Sequence, residues 1–251
     1  MSKNFIITND NVREYAKKIG EWIKNKVNEA GTEGVVLGMS GGVDCSTVAM
    51  LCKNAGIKLH LVILPYGEHM KNSNTYSNAM ELINTSNFEY HIFDIKPAVD
   101  ALIIPTEETT YKTELARANI RPRIRMTYLY EYAQINNLLV IGTGNLSEAT
   151  VGYFTKWGDG AHDLNPLANL TKREVYILAK YLGVPKAIIN AKPSADLWPG
   201  QTDEDELGLT YEQIDEFILN GTSGDNKIDE IIQTKKDRNT HKLEPIAKFE
   251  D

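Results

Sequence analysis

Short apolar runs alternate with segments of helical periodicity through the first 141 residues of the chain. Four runs have the length and composition of buried strands, at residues 34–39, 59–64, 90–95 and 138–141. The spacing of apolar residues predicts helices over residues 12–27, 46–55, 74–85 and 124–135. Because parallel strands need crossover connections, the alternation predicts an α/β fold, with a doubly wound, mostly parallel sheet and helices on both faces.

The second half of the chain has a different pattern, without a further predicted strand. A capping box at residues 171–174 begins a helix, and two more helices are predicted near residues 211–219 and 227–234. Residues 199–208 are acidic and contain Gly and Pro, which predicts a mobile loop. With 251 residues in all, we expect one domain, residues 1–251, that carries extra C-terminal helices.

Composition narrows the classes of function. The formal net charge of −7 disfavours a general nucleic-acid binder, which usually has a basic surface. No apolar run is long enough to span a bilayer, and the polar N-terminus lacks a signal-peptide core. Cys45 and Cys52 do not form a disulfide framework. We therefore expect a cytoplasmic protein with neither nucleic-acid nor membrane partners.

The segment that follows the first predicted strand has the chemistry of a phosphate site. Gly41 and Gly42 allow a tight bend and a close approach of the backbone to a ligand. The hydroxyls of Ser40 and Ser46 can donate hydrogen bonds, and the free N–H groups of the following helix favour an anion. Asp44 would repel a bare phosphate, so its presence indicates a Mg²⁺ ion beside the phosphate.

Other interpretations fit this segment less well. It is neither a Walker A loop, since it lacks Gly-Lys-Ser/Thr, nor a GxGxxG motif. A strand-to-helix turn without a ligand would be the better interpretation of Gly-Gly alone. Ser-Gly-Gly-x-Asp between a strand and a helix favours the phosphate site.

Residues 38–46 resemble the SGGxDS loop of the ATP pyrophosphatases, enzymes that cleave ATP between the α- and β-phosphates to adenylate a substrate. Cys45 stands where this family usually has Ser, and Ser46 follows it. The resemblance implies ATP as co-substrate and an adenine-nucleotide α-hydrolase-like fold.

Residues 142–148 and 152–167 resemble the signature of one branch of that group, the NAD synthetases. Further matches occur in order along nearly the whole chain, at residues 120–126, 170–172, 193–197, 204–209 and 241–242. Ser194 stands in place of a usual Thr, and Leu243 stands where a basic residue is common.

This resemblance implies a role for each matching residue. The implied ATP-binding residues are Gly38, Met39, Ser40, Gly41, Gly42, Val43, Asp44, Cys45, Ser46, Thr143, Lys172 and Ser194. The implied contacts with deamido-NAD or ammonia are Arg123, Lys156, Asp159, Asp163, His241 and Lys242. Asp44 and Glu148 are the implied Mg²⁺ ligands, and Asp159, Asp163 and Lys172 the implied catalytic residues.

The resemblance also implies a reaction and its partners. The carboxylate of deamido-NAD would be adenylated by ATP, and ammonia would then displace AMP to give NAD. A homodimer is implied, with deamido-NAD near the subunit interface. The predicted helix at residues 124–135 is a candidate interface helix, although an ordinary core helix fits its pattern equally well.

Alternatives remain open for single residues and for the whole chain. Taken one at a time, Glu148 and Lys172 could be solvated helix residues, and Asp159 and Asp163 could be turn formers. Another adenylating enzyme of the same fold, forming GMP or modifying tRNA, is one rival function. An ATP-sensing module without chemistry is another, although it would have no need for Glu148, Lys156 and Lys172 together.

Overall fold

The computed structural model of the protein describes residues 6–105, 110–194 and 202–249. Within these ranges, the strands form one parallel sheet in the order β3-β2-β1-β4. They are β1 (Gly34–Gly38), β2 (Leu59–Ile63), β3 (Tyr90–Ile92) and β4 (Leu138–Val140). The predicted parallel α/β sheet is therefore confirmed, with β1 between β2 and β4.

Helices connect and cover the strands. Those before β4 are α1 (Val12–Glu29), α2 (Val43–Asn54), α3 (Asn74–Ser86), α4 (Lys96–Leu102), α5 (Tyr111–Ala118) and α6 (Ile120–Asn136). Those after β4 are α7 (Leu146–Val151), α8 (Lys172–Leu182), α9 (Lys186–Ile189), α10 (Asp203–Leu207), α11 (Tyr211–Asn220) and α12 (Asn226–Asn239). Two 3₁₀ turns span Glu68–Asn72 and Thr240–Lys242. Among the described helices, none is long and apolar enough to cross a membrane.

The two faces of the sheet bury different sets of side chains, because successive residues of a strand point to opposite sides. Val35 and Leu37 of β1 pack into a large core with residues of α1, α2, α3 and α8. Val36, between them in sequence, faces the other side and packs with residues of α4 and α6. Helices on both faces confirm the doubly wound arrangement.

The C-terminal helices pack around a third apolar cluster. Its buried residues come from α7, α10, α11, α12 and the turn after α10, and they are Val151, Leu207, Leu209, Ile214 and Ile232. The predicted extra C-terminal helices are thus confirmed. The organisation as one domain, residues 1–251, stays a prediction.

The acidic segment at residues 199–208 differs from its prediction as a mobile loop. Residues 199–201 lie outside the described residues, but Asp203–Leu207 forms helix α10. The side chain of Thr202 caps this helix by accepting a hydrogen bond from the N–H of Asp205. Acidic residues suit the first turn of a helix, where the helix dipole is positive, and Leu207 is buried in the third cluster.

Two element boundaries also differ from the sequence pattern. Helix α6 begins at Ile120 rather than residue 124, so Arg121 and Arg123 lie inside its first turn. Pro122 favours this start because the first turn needs no N–H donor. Strand β3 ends at Ile92 rather than residue 95, although the N–H groups of Phe93 and Ile95 still donate to the backbone oxygens of Ile63 and Pro65.

Candidate active site

The carboxyl ends of β1, β2 and β4 open onto a cavity of about 750 Å³, where a doubly wound sheet is expected to bind its ligand. Both halves of the chain line it. The implied site residues on its wall are Gly38, Met39, Ser40, Gly41, Gly42, Val43, Asp44, Cys45, Arg123, Thr143, Glu148, Lys156, Asp159, Lys172, Ser194, His241 and Lys242. Ser46 and Asp163 belong to the same implied set but are not on the wall.

The turn between β1 and α2 depends on glycine. Gly41 has a φ of +90°, and a Cβ atom there would lie 1.9 Å from the backbone oxygen of Thr75. Gly42 then leads into α2, whose first N–H groups have no intrahelical acceptors. Because Val43 and Asp44 line the cavity, this positive end of α2 faces the cavity, where it would favour an anion.

The side chains of the turn divide between the cavity and the interior. Ser40 is exposed on the cavity wall. The Ser46 hydroxyl is fully buried and donates to the backbone oxygen of Gly42 at 2.7 Å. The Cys45 thiol also donates to that oxygen, at 3.2 Å, and its sulfur lies 3.2 Å from the Ser40 hydroxyl oxygen. Cys45 and Ser46 therefore stabilise the turn, and Ser40 supplies the hydroxyl that can reach a ligand.

One group of cavity residues, which we call the acidic pole, consists of Asp44, Glu148, Asp203 and Lys172. The Lys172 ammonium group lies 2.7 Å from Asp44 Oδ2 and 3.2 Å from Glu148 Oε1. Only 2% of Lys172 is exposed. Two carboxylates from opposite halves of the chain thus meet at one buried cation.

Local capping fixes two members of the acidic pole. Asn145 and Glu148 form a capping box at the start of α7, in which each side chain accepts from the other residue's backbone N–H. The Asn145 amide also donates to Asp44 Oδ1 at 3.0 Å, linking α7 to the turn before α2. At the start of α8, Glu174 accepts from the N–H and hydroxyl of Thr171, which precedes Lys172.

The acidic pole carries more negative than positive charge. Burial raises the pKa of Glu148 to about 7, and Asp44 adds to this shift while Lys172 opposes it. Burial also raises the pKa of Asp203. For Lys172, burial lowers the pKa, but Asp44 and Glu148 outweigh that effect and hold it above the ordinary value. Three carboxylates around one ammonium group favour the binding of a further cation.

Several residues that contact the acidic pole were not predicted from the sequence. Tyr211 donates to Asp203 Oδ2 at 2.9 Å, and Lys172 lies over its ring, 4.7 Å from the centroid. Tyr153 donates to Glu206 at 2.8 Å and to Asp203 at 3.2 Å. The signals in the sequence were the acidic run at residues 203–206 and the motif matches at 152–167 and 204–209, but none of them gave Tyr153, Asp203 or Tyr211 a role.

A second group of cavity residues, which we call the basic pole, consists of Arg123, Lys156, His241 and Lys242. Lys156 donates to the backbone oxygen of His241 at 2.5 Å. Lys242 donates to the backbone oxygens of Gly152 and Phe154, at 2.7 and 3.0 Å. These bonds attach the C-terminal 3₁₀ turn to residues 152–156.

The two aspartates of the same segment have different surroundings. Asp159 lines the cavity and accepts from the N–H of Thr155 at 3.0 Å. Burial raises the pKa of its carboxyl group, although the side chain stays accessible from the cavity. Asp163 instead accepts from the N–H of Val140 at 2.7 Å and from the Tyr130 hydroxyl at 3.2 Å. Its carboxylate thereby fastens β4 to α6, away from the cavity wall.

Comparison with known proteins identifies the family. A family model described as NAD synthase matches residues 15–249. The chain belongs to this family. A relative from Carboxydothermus hydrogenoformans, named NH(3)-dependent NAD(+) synthetase, is 41% identical over 92% of this chain and 95% of its own length. One of the same name from Finegoldia magna is 40% identical over 96% and 97%.

Solved structures of NAD synthase family relatives have the same fold. The NMN synthetase from Francisella tularensis superposes with a TM-score of 0.86 at 41% identity, covering 94% of this chain and 98% of that one. The NH3-dependent NAD synthetase from Campylobacter jejuni superposes with a TM-score of 0.77 at 34% identity, covering 95% and 99%. These relatives extend the fold similarity over nearly the full length of the chain.

Proposed function

We propose that the protein is an ammonia-dependent NAD synthetase, a ligase of NAD biosynthesis that amidates deamido-NAD at the expense of ATP. The observation that carries the proposal is the convergence of Asp44 and Glu148 on Lys172, beside the Gly41 turn at the cavity wall. A cation between two carboxylates, next to a helix N-terminus, suits the phosphates of a metal-bound nucleotide. Membership of the NAD synthase family supports the same reaction.

The proposed ATP site is the turn at residues 38–46 together with Thr143, Lys172 and Ser194. The α2 N–H groups and the Ser40 hydroxyl would donate to phosphate oxygens, and Lys172 would offset charge that develops on pyrophosphate. Ser46 contributes by shaping the turn, since its hydroxyl is already bonded to Gly42.

The residues of the acidic pole fit Mg²⁺. Mg²⁺ is usually held by one or two carboxylates, with substrate phosphates and water completing the coordination shell. Asp44 and Glu148 supply that number of ligands, and both carboxylates share the single Lys172 ammonium group. When bound there, the ion would neutralise phosphate charge.

The proposed chemistry has two steps, because a carboxylate is a poor electrophile. The acceptor carboxylate attacks the α-phosphate of ATP, forming an acyl adenylate as pyrophosphate leaves. Ammonia then attacks the acyl carbon, a proton is lost from nitrogen, and AMP leaves. The protein would hold both reactants in contact inside the cavity, which accounts for much of the expected acceleration.

The basic pole is the proposed binding site of the acceptor nucleotide, through Arg123, Lys156, His241 and Lys242. Asp159 is the proposed acceptor of the ammonium proton, since its carboxylate reaches the cavity. For Asp163, which was implied in the same role, we propose an indirect contribution through β4 and α6.

A direct assay tests the reaction. Purified protein is incubated with deamido-NAD, ammonium salt and MgATP, and NAD, AMP and pyrophosphate are measured, with glutamine replacing ammonium as the control. We expect the three products in equal amounts with ammonium and far less with glutamine. If ATP bound without any turnover, the proposal would be wrong and an ATP-sensing module would be favoured.

The same assay distinguishes the proposed roles of Asp159 and Asp163. Asp159→Asn should lower kcat with ammonium by about 100-fold, as expected for loss of a general base. Asp163→Asn should mainly lower the melting temperature and leave kcat within several-fold of wild type, since its carboxylate bonds to the fold. The reverse order of effects on kcat would assign the proton transfer to Asp163.

A second acceptor must be tested in parallel. The relative from Francisella tularensis is named an NMN synthetase, and its TM-score exceeds that of the NAD synthetase from Campylobacter jejuni. This favours nicotinate mononucleotide, whose amidation gives NMN, as a second candidate. The ratio of kcat/KM for the two acceptors decides between them, and XMP serves as the control for a GMP-forming enzyme.

We further propose a homodimer that forms through α6 and the edge strand β3. Tyr90, Ile92 and Phe93 are each 37 to 38% exposed at this edge. Of the residues of α6, only Pro122 and Ala133 are buried, although the helix packs on the sheet. Light scattering should give twice the monomer mass, and Phe93→Glu should shift it towards the monomer. A cytoplasmic location stays a prediction.

A further inference from the structure

Asp215 of α11 is a buried carboxylate that none of the proposed steps uses. It is 1% exposed. One of its oxygens, Oδ1, accepts from the Ser147 hydroxyl at 2.5 Å, and the other, Oδ2, accepts from the backbone N–H of Arg173 at 2.8 Å. The Ser147 hydroxyl oxygen in turn accepts from the backbone N–H of Lys172 at 2.9 Å. One side chain therefore joins the first turns of two other helices, α7 and α8.

The residues that Asp215 holds are the sequence neighbours of two members of the acidic pole. Ser147 precedes Glu148 in α7, and Arg173 follows Lys172 in α8. We infer that Asp215 is a positioning residue that sets the distance between Glu148 and Lys172 by fixing the starts of both helices. The inference rests on the proposed function, because it assigns to that pair the binding of MgATP.

A positioning role explains why a charged group is buried here. Burial raises the pKa of Asp215, which indicates that its charge is unfavourable in this place. An apolar side chain could pack α11 against α7 and α8 without that cost. Two acceptor oxygens, however, can satisfy both the Ser147 hydroxyl and a free N–H of the first turn of α8.

The distance between Glu148 and Lys172 is sensitive to the link between α7 and α8. Helix α7 has only six residues, so its own backbone bonds stabilise it weakly. Lys172 reaches Glu148 at 3.2 Å and Asp44 at 2.7 Å, and a small shift of α7 against α8 would separate the first pair. Neighbours that orient metal-binding residues contribute about 10- to 100-fold to metal affinity or activity.

Three variants test the inference. Asp215→Ala removes both acceptors, and Ser147→Ala removes the link to Lys172. Asp215→Asn keeps an oxygen for the Arg173 N–H and offers its amide as a donor to the Ser147 oxygen, which can also accept. Asp229→Ala is the matched control, because that carboxylate also ties a loop to a helix, at Thr222 and Ser223, away from the cavity.

The readouts are MgATP affinity by calorimetry, its dependence on Mg²⁺ concentration, the KM for the acceptor, and the melting temperature. We expect Asp215→Ala and Ser147→Ala to weaken MgATP binding by about 10- to 100-fold, with a much smaller change in acceptor KM. Asp215→Asn should stay close to wild type. Asp229→Ala should lower the melting temperature without weakening MgATP binding.

The inference is overturned if folded Ser147→Ala or Asp215→Ala binds MgATP as wild type does. It is also overturned if Asp229→Ala weakens binding equally, or if Asp215→Asn is as impaired as Asp215→Ala. Should Asp215→Ala fail to fold, Ser147→Ala decides. Since calorimetry needs no acceptor, the comparison stays decisive even if wild-type protein turns over neither acceptor, which would refute the proposed function alone.

Discussion

The two poles of the cavity wall use their lysines differently. At the acidic pole, Lys172 is buried between the carboxylates of Asp44 and Glu148. At the basic pole, Lys156 and Lys242 donate to backbone oxygens of the opposite segment. The ion pairs of Lys172 set the charge that the acidic pole presents to a ligand. The hydrogen bonds of Lys156 and Lys242 instead hold the C-terminal 3₁₀ turn against residues 152–156.

This difference indicates which ligands the acidic pole and the basic pole can bind. Excess carboxylate at the acidic pole favours a metal ion and, through it, a polyphosphate. The lysines of the basic pole are bonded to backbone oxygens, which carry no negative charge to offset theirs. An anionic acceptor nucleotide can therefore bind there while the same lysines fix the C-terminal 3₁₀ turn.

The largest expected effect is that of Lys172→Met. Without its cation, the acidic pole would repel the polyphosphate, so we expect kcat/KM to fall by at least about 100-fold. The free energy of unfolding should decrease by about 3 kcal/mol, because buried carboxylates lose their partner. Initial rates of pyrophosphate release and urea denaturation measure the two effects. Lys180→Met, on an exposed position of the same helix, should be neutral in both.

A smaller effect is expected when only one carboxylate is neutralised. Glu148→Gln keeps an oxygen that can accept from the Asn145 N–H, as capping boxes allow, and removes the charge. We expect the Mg²⁺ concentration for half-maximal rate to rise by about 10- to 100-fold. An unchanged Mg²⁺ requirement would mean that the acidic pole does not hold the metal.

The same variant should change how stability depends on pH. The pKa of Glu148 is about 7 in the folded protein, against an ordinary 4.5, so between these values the folded state binds more protons than the unfolded state. Without Mg²⁺, its contribution to the free energy of unfolding should therefore fall as pH rises from 4.5 to 7. Urea denaturation at several pH values should show a shallower decline for Glu148→Gln. Equal slopes in the two proteins would contradict the raised pKa.

The smallest effect is expected at the basic pole. Lys242→Met removes hydrogen bonds to Gly152 and Phe154, each of moderate strength, so we expect the acceptor KM to rise by about tenfold. The KM for MgATP should change little, because the acidic pole is untouched. Lys236→Met, an exposed lysine of α12, is the control. If Lys242→Met changed the acceptor KM and the MgATP KM equally, the basic pole would not be a separate binding site for the acceptor.

Local patterns in the sequence predicted most elements of the fold and the turn at Gly41. They failed at α10, where a capping Thr202 and buried Leu207 outweigh an acidic composition, and at the start of α6, where Pro122 is compatible with a first turn. For the site, motif resemblance pointed to Asp44, Glu148 and Lys172, which the structure brings together. It also implied a ligand contact for Asp163, which stays a prediction, and no local pattern indicated that this carboxylate bonds to β4 and Tyr130.

By itself, the sequence determined the parallel sheet and the glycine turn, because strand period, helix caps and the need for a positive φ are properties of a few neighbouring residues. Tertiary structure alone decided which charges meet. Asp44 and Lys172 are 128 residues apart, and Ser147 and Asp215 are 68 apart. Their contacts exist because α2, α7 and α11 each pack against α8 or its neighbours, an arrangement that depends on the whole apolar core rather than on any local pattern.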